Sequence, residues 1–441
     1  MSVEQAIKRF YEQIKGRSTQ CIWVALSGGI DSVVLLHALV YQRPKSVQLK
    51  AIHVNHQWSA QAKDWQKFCQ SLCQTLGVEL VIECVNFQQK SSEGWEAQAR
   101  YQRYRVFEAY IDRQDLLLTA HHQRDQAETV LLQLLRGAGV EGLSGMPKQR
   151  SLGNACLHRP LLNVPADEIQ AYAKHQALNW VEDPSNSNIE LRRNYIRHQV
   201  LPILKTVWPA TDSVLAQTSE RMHQTNEFLF EVLEKDHRQV VLASGQLDLS
   251  VLKTWSQAHC YHYLYYWLKH KLGVTVTHCQ LQTVLYEVVN AGEDADPCFQ
   301  LNDDYQLRRY QQVLYLVPRQ SLVDTQNLII DWPDNQNELT LPYNLGHLKC
   351  YQHAGAGLSL QPHDSLTIRF RQGGEKLYLP YRSGQKSLKK LFQEWQVPPW
   401  QRSRIPLLYI NGYLAAVVGY ATHRAFYVES QGWVVENRLN G

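Results

Sequence analysis

The apolar run Cys21-Ile22-Trp23-Val24-Ala25-Leu26 passes directly into Ser27-Gly28-Gly29-Ile30-Asp31-Ser32 and then into a helical pattern from Ser32 to Tyr41. A buried strand that turns through two glycines into a helix is the opening of a βαβ unit, with an anion site at the strand's carboxyl end. The glycines let the backbone approach a bulky anion, and the helix, starting near Asp31, aims its unsatisfied N–H groups at the same point. The lysine of the common glycine-rich phosphate motif is absent, and Asp31 stands where phosphate oxygens crowd. A carboxylate repels a polyphosphate unless a cation lies between them, so Mg²⁺ bridging Asp31 and the phosphates is expected. On these six residues alone, a tight turn with Asp31 or Ser32 capping the helix remains an equal reading.

Further runs at Leu49–Val54, Leu80–Val85 and Leu116–Ala120 alternate with helical patterns at Asp64–Leu76 and Glu96–Ile111. This alternation predicts an α/β fold: an N-terminal doubly wound parallel sheet, with ligands beyond the carboxyl ends of its strands. After about Pro209 the pattern changes to helices around Ser219–Arg238, Leu249–Leu272 and His278–Val289, followed by strands at Phe299–Leu301 and Gln306–Val317. The segment Leu366–Val435 mixes strands with one basic helix, Ser387–Gln396, as a small α+β domain does. The expected division is a catalytic domain over 1–215, a mainly helical middle domain over 216–318, a β-rich connection over 319–360, and a basic C-terminal domain over 361–441.

The formal charge is +4, yet the stretch from Arg369 to Arg404 holds nine Lys or Arg against Glu375 and Glu394, a surplus larger than that of the whole chain. Aromatics interleave with it at Phe370, Tyr378, Tyr381, Phe392, Trp395 and Trp400, a mixture that suits phosphate contacts and base stacking. A solvated basic face is the competing reading. Nine cysteines include no Cys-x-x-Cys pair, which argues against a zinc knuckle, an iron–sulfur centre or a redox motif. Cys69 and Cys73, four apart on a helix, are expected buried and reduced. No apolar run is long enough to span a bilayer, and the N-terminus carries no signal pattern, so a cytoplasmic protein without membrane contact is expected.

Three more clusters carry chemistry. In His121-His122-Gln123-Arg124-Asp125-Gln126-Ala127-Glu128, a helix continuing through His121 aligns His121, Asp125 and Glu128 on one stripe. His121 then serves a developing oxyanion or phosphate, and Asp125 binds Mg²⁺ or accepts a proton. A zinc site lacks a convincing third ligand. Glu96 and Arg100 are spaced for an ion pair, with Tyr104 one turn on. The turn-rich Asp183-Pro184-Ser185-Asn186 leads into Arg192-Arg193-Asn194-Tyr195-Ile196-Arg197, an RNA-contact segment or a domain-joining loop.

Ser27–Ser32 matches the pyrophosphate-binding loop of the ATP pyrophosphatase superfamily at every specified position. Together with Ile52-His53-Val54-Asn55-His56, Glu96-Ala97-x-Ala99-Arg100, His121–Thr129, Arg136-Gly137, Asp183–Asn186, Arg193-Asn194-x-x-Arg197, Gly373-Gly374-Glu375 and Lys389-Lys390-Leu391-Phe392, the chain resembles the tRNA(Ile)-lysidine synthetase family at both ends. The resemblance implies an ATP-dependent carbon–nitrogen ligase. Cytidine O2 of a CAU-anticodon tRNA(Ile) attacks the α-phosphate of ATP, pyrophosphate leaves, and the ε-amine of L-lysine displaces AMP at C2. It implies Ser27, Gly28, Gly29, Ile30, Asp31 and Ser32 as the ATP loop and Asp31, Arg100, His121 and Asp125 as the catalytic set. Asp31 and Asp125 become the Mg²⁺ ligands, and Arg193, Asn194 and Arg197 become RNA contacts. Arg382, Lys386, Lys389 and Lys390 then grip the tRNA away from the anticodon.

Two departures stand out: Gln57-Trp58-Ser59 replaces a Gly-Leu-Arg type run, and Arg124 replaces an acidic residue before Asp125. The rivals are a tRNA thiolase, which needs reactive cysteines that no pattern here recommends, and a non-catalytic RNA-binding protein. The oligomeric state, a homodimer included, is open on sequence grounds.

Overall fold

The computed structural model describes residues 1–16, 21–57, 61–85, 95–292, 295–319, 325–333 and 337–438, and for residues 95–97 the backbone alone. The chain divides into two compact units, Met1–Val232 and Leu233–Gly441.

The first unit runs α1 (Val3–Ile14), β1 (Cys21–Ala25), α2 (Ile30–Gln42), β2 (Gln48–Asn55), α3 (Ala62–Leu76), β3 (Glu79–Cys84), α4 (Trp95–Tyr110), β4 (Leu116–Leu118) and α5 (Gln123–Leu134). It continues with α6 (Val140–Leu143), β5 (Gln149–Leu152), β6 (Ala155–His158), α7 (Ala166–His175), α8 (Arg192–Tyr195), α9 (Leu201–Val207) and most of α10 (Thr211–Val240), whose residues from 233 on belong to the second unit. The strand order is β3-β2-β1-β4-β6-β5. Period-2 alternation divides the strand side chains between two cores. Ile22, Val24, Leu49, Ala51, Leu116 and Leu118 pack with α1, α2, α3 and α7, whereas Cys21, Trp23, Ile52, Leu117 and Leu157 pack with Phe107 and Ile111 at the end of α4. Helices on both faces make the sheet doubly wound, as expected.

All pairings are parallel except β5 with β6, where Arg150 stands opposite Leu157. This antiparallel edge was not expected, because three of the four residues of β5 are exposed and no apolar run marks it. Asp115 fastens the centre of the sheet: its Oδ1 accepts the Cys21 N–H at 3.0 Å and its Oδ2 the Trp23 Nε1–H at 3.0 Å. Strand order reverses between β1 and β4, so the crevice at their carboxyl ends is where such sheets bind ligands. Ser27–Ser32 and Thr119–His122 both lie there.

In the second unit, helices Gln257–Tyr266 and His278–Thr283 precede a four-stranded sheet that contains Cys298–Gln300, Tyr305–Tyr310 and Val313–Pro318. Two five-stranded sheets follow. Ile329–Trp332 pairs with Leu366–Arg369, and His347–Gln352 pairs with Trp433–Arg438. Both sheets therefore join strands from the two sides of the boundary expected near residue 360, a long-range pairing that no local pattern reveals. Likewise, α10 runs unbroken through the boundary expected near 215. Among the described residues, no helix is long and apolar enough to cross a membrane, and none of the nine cysteines is in a disulfide.

Candidate active site

Gly28 adopts φ +89°, a left-handed conformation that favours glycine. A Cβ there would sit 2.9 Å from Val181 Cγ2 and 3.2 Å from Cys69 Sγ, so the turn is packed as well as strained for any other residue. Gly29 is the N-cap of α2 and supplies no side-chain cap, which leaves the helix N-terminus to an external acceptor. Ser32, expected among the ATP ligands, faces inward instead. It is 4% exposed; its Oγ accepts from the N–H of Ser27 and of Gly28, each at 3.2 Å, and donates to Gly29 O at 2.9 Å. Ser32 therefore holds the loop's shape, and the outward surface belongs to Ser27, Gly29, Ile30 and Asp31.

His53 explains part of the Ile52–His56 motif. Its buried ring donates from Nδ1 to Leu26 O at 2.8 Å, tying β2 to the start of the loop. His56 meets the Arg103 guanidinium at 3.3 Å. Trp58, Ser59 and the Glu96 side chain lie outside the described residues.

The helix after β4 begins two residues later than the stripe reading requires. α5 starts at Gln123, its N-cap is His122 in extended conformation, and His121 precedes it outside the helix. The cause is a capping box: His122 Nδ1 accepts the Arg124 N–H at 3.2 Å, and Asp125 Oδ2 accepts the His122 N–H at 3.0 Å. His121 shares a 2.9 Å hydrogen bond with Thr119 Oγ1. Burial, aided by the charges of Arg159, Arg193 and Arg100, pushes its pKa down to about 3 against the pull of Asp125, so the ring is neutral at pH 7.

His122 was missed as a site residue. Buried at 5% exposure, it lies with Nε2 3.6 Å from Asp31 Oδ1 and 3.6 Å from Asp125 Oδ2, so it joins the pyrophosphate loop to the α5 cluster. Two adjacent histidines offered no means to choose between them, since the choice depends on where the helix begins.

Arg193 and Arg197, expected as RNA contacts, turn into the protein. Arg197 donates to Glu128 Oε1 at 2.6 Å and Oε2 at 3.0 Å and to Asp125 Oδ1 at 2.9 Å. Arg193 donates to Glu128 Oε2 at 2.8 Å and to Asp125 Oδ1 at 3.4 Å. Glu128 is fully buried beneath them. Asn194, expected with them, is buried too, and its amide fixes the preceding loop through Ser185 O and Asn188 O at 3.0 and 2.9 Å.

These bonds weigh against Asp125 as a metal ligand or base. Both of its oxygens are taken by donors. Burial alone raises its pKa, but His122, Arg193, His121 and Arg197 more than offset this and hold it near 2. Asp31 is the opposite case. Burial raises its pKa despite His122, Arg197 and Arg124, its side chain is 42% exposed, and it keeps oxygen valence free beside the anion cradle. A Mg²⁺ shared between Asp31 and substrate phosphates fits this donor set, while a cage built wholly from protein does not: no cluster of three acidic, His or Cys ligands exists among the described residues. Arg124, the departure before Asp125, pairs with Asp212 and Asp167, each at 3.4 Å. Arg100 lies on the exposed side of α4, its guanidinium 5.6 Å from the Tyr104 ring centroid.

Cys69 is the thiol beside the loop, and burial pushes it up to about 12, which unsuits it for sulfur transfer. In the second unit, Arg382 and Lys386 both bind Glu394 at 2.6 Å, whereas Lys389 and Lys390 are exposed and make no ion pair among the described residues. Arg402, counted in the basic stretch, is buried against Val397 O.

Family models match the chain in three places: a PP-loop domain over residues 1–204, a TilS substrate binding domain over 247–315 and a TilS substrate C-terminal domain over 366–437. The tRNA(Ile)-lysidine synthase of Legionella pneumophila (strain Lens) is 38% identical over 418 residues, covering 94% of this chain and 95% of the relative. That of Coxiella burnetii (strain RSA 493 / Nine Mile phase I) is 37% identical over 437 residues, covering 98% and 96%. Identity at this level along nearly the whole length of both proteins, together with the loop and its histidine–carboxylate neighbours, settles the assignment: the chain belongs to the tRNA(Ile)-lysidine synthase family.

Proposed function

We propose that this chain uses ATP to join free L-lysine to C2 of the wobble cytidine in a CAU-anticodon tRNA(Ile), releasing AMP and pyrophosphate and converting AUG decoding to AUA decoding. The observation that carries the reading is the meeting, through His122, of an anion cradle on α2 with a carboxylate–arginine cluster on α5 and α8. The β- and γ-phosphates sit against Ser27, Gly29, Ile30 and the N-terminus of α2, where N–H groups and the helix dipole face them. Mg²⁺, when bound, neutralises charge on the phosphates and the leaving pyrophosphate.

Cytidine O2 attacks the α-phosphorus and the bond to the β-phosphate oxygen breaks. The neutral His121 ring hydrogen-bonds the phosphoryl oxygens, and the N-terminus of α2 faces the charge that develops on the leaving pyrophosphate. In the second half-reaction the lysine ε-amine attacks C2 and the C2–O2 bond breaks, with AMP carrying away the oxygen. The amine's proton leaves with the AMP phosphate, because Asp125 is too acidic to take it and acts as a fixed negative anchor. Arg193 and Arg197 shape the floor beneath it. Lys389 and Lys390 of the 361–441 segment take phosphates of the tRNA at a distance from the anticodon.

The test separates the halves. Pyrophosphate release that requires the tRNA but not lysine, followed by AMP release that requires lysine, supports the reading. Pyrophosphate release that ignores the RNA overturns it.

A further inference from the structure

With Arg193 and Arg197 accounted for, three more arginines gather around Tyr104. The Arg150 guanidinium lies 4.5 Å from its ring centroid and that of Arg100 5.6 Å. Arg159 is 4% exposed; its Nη1 donates to Pro147 O at 2.7 Å, while its buried Nε has no acceptor among the described residues. A buried N–H without a partner costs free energy, and here it belongs to a charged group.

The topology explains the gathering. β6 ends at His158 opposite Leu118, and the Thr119 N–H bonds His158 O at 3.0 Å, which sets Arg159 beside the segment that carries His121. α4 brings Arg100 and Tyr104, and the edge strand β5 brings Arg150. Arg100 and Arg159 both act on the His121 ring. The strongest influences on Arg159 are burial, Tyr104 and the like charges of Arg150 and Arg100, with no carboxylate among them. Three cations this close repel one another, and a bound anion relieves the repulsion.

We propose that Arg100, Arg150, Arg159 and the Tyr104 hydroxyl form a second phosphate cradle, which takes a backbone phosphodiester of the substrate RNA next to the reacting cytidine. This rests on the RNA-modifying reading above. RNA is favoured over ATP as the source because the cradle stands at the ends of β4 and β6, whereas the ATP loop follows β1. Its outer arginines, Arg100 and Arg150, are also exposed, as a polymer passing over the surface requires. Guanidinium forks suit the paired non-bridging oxygens of a phosphodiester. Clamping that phosphate fixes the cytidine relative to His121.

The test uses the full chain with a 17-nucleotide CAU anticodon stem–loop as probe. Arg150→Ala is expected to bind it about tenfold more weakly, with a plot of log Kd against log salt shallower by about 0.7–0.9, the value for one lost phosphate contact. Its affinity for Mg-ATP and its KM for lysine stay at wild-type values, and Arg150→Lys recovers part of the loss. Arg159→Lys, kept only if its thermal midpoint matches wild type, shows the same pattern. Unchanged RNA affinity and salt slope in both Arg150→Ala and Arg150→Glu overturn the proposal. A loss confined to ATP affinity, or to the KM for lysine, also overturns it and assigns the cluster to that substrate. Lysine transfer by the wild type in the same reactions reports on the function itself, so failure of that reading is distinguishable from failure of the cradle.

Discussion

Glu128 anchors the positive charge of the catalytic floor, and its removal has a calculable cost. It is fully buried and accepts from Arg193 Nε at 2.8 Å and from Arg197 at 2.6 and 3.0 Å. Glu128→Ala leaves two half-buried guanidiniums with Asp125 as their remaining carboxylate. Breaking a buried ion pair from one side costs about 3–5 kcal/mol. In a unit of this size each kcal/mol moves the midpoint by about 2–4 °C, so the expected fall is roughly 6–20 °C. Arg197→Met strands less charge, because Glu128 keeps Arg193. The double variant Glu128→Gln/Arg197→Met should cost less than the sum of its singles by about 1–3 kcal/mol, since the partners share one network. The assay is thermal unfolding of the full chain, following the transition that Mg-ATP shifts upward and that therefore reports the catalytic domain. A Glu128→Ala midpoint within about 2 °C of wild type, or an additive cycle, would refute the coupling.

Gly28→Ala forces a left-handed backbone on alanine and a contact with Val181, so ATP affinity should fall at least about tenfold and stability by roughly 1–3 kcal/mol; Gly16→Ala, with φ +87° and open space around it, tests strain without the clash. Equal ATP affinity in Gly28→Ala and wild type would contradict the packed turn. For His121, the unfolded ring titrates near the ordinary value of 6.5 and the folded ring near 3. Between those values the unfolded chain holds the extra proton, so acid destabilises the fold. Lowering the pH from 6.5 to 5 should therefore cost the wild type up to about 2 kcal/mol more than His121→Gln, less a discount for the ring's partial exposure. Denaturant titrations at the two pH values check this, and an identical pH response in the variant would oppose a buried neutral ring. Lys389→Glu/Lys390→Glu should weaken binding of full-length tRNA and flatten its salt dependence by about 0.7–0.9 per lost contact, leaving the stem–loop affinity unchanged. The matching reversal at Arg382 and Lys386 should do less, because Glu394 already holds both.

What was legible in the sequence was local. The strand–glycine–helix junction at Ser27–Ser32 and the alternating runs through Leu118 are written in contiguous residues, and they specified the doubly wound sheet and its anion cradle. What escaped depended on chain that is distant in sequence. The roles of Arg193 and Arg197 turned on a buried carboxylate more than sixty residues away, and a surface-looking basic segment gave no sign of it. Ser32 reads as a ligand until its hydroxyl is found bonded to its own loop. His122 replaced part of the role expected of His121 because a capping box moved the helix start, a matter of two residues that periodicity cannot resolve. The β5 edge strand and the interleaved C-terminal sheets rest on pairings without an apolar signature.

The proposed reaction activates a cytidine with ATP so that lysine can replace the oxygen. It is tested most directly by incubating the full chain with Mg-ATP, labelled lysine and two CAU-anticodon transcripts, tRNA(Ile) and tRNA(Met), and then digesting the RNA to nucleosides. ATP-dependent label is expected in a modified wobble cytidine of tRNA(Ile), with none in the Asp31→Asn variant. Label that appears without ATP, or at any other nucleotide, or equally in the Asp31→Asn variant, would contradict it.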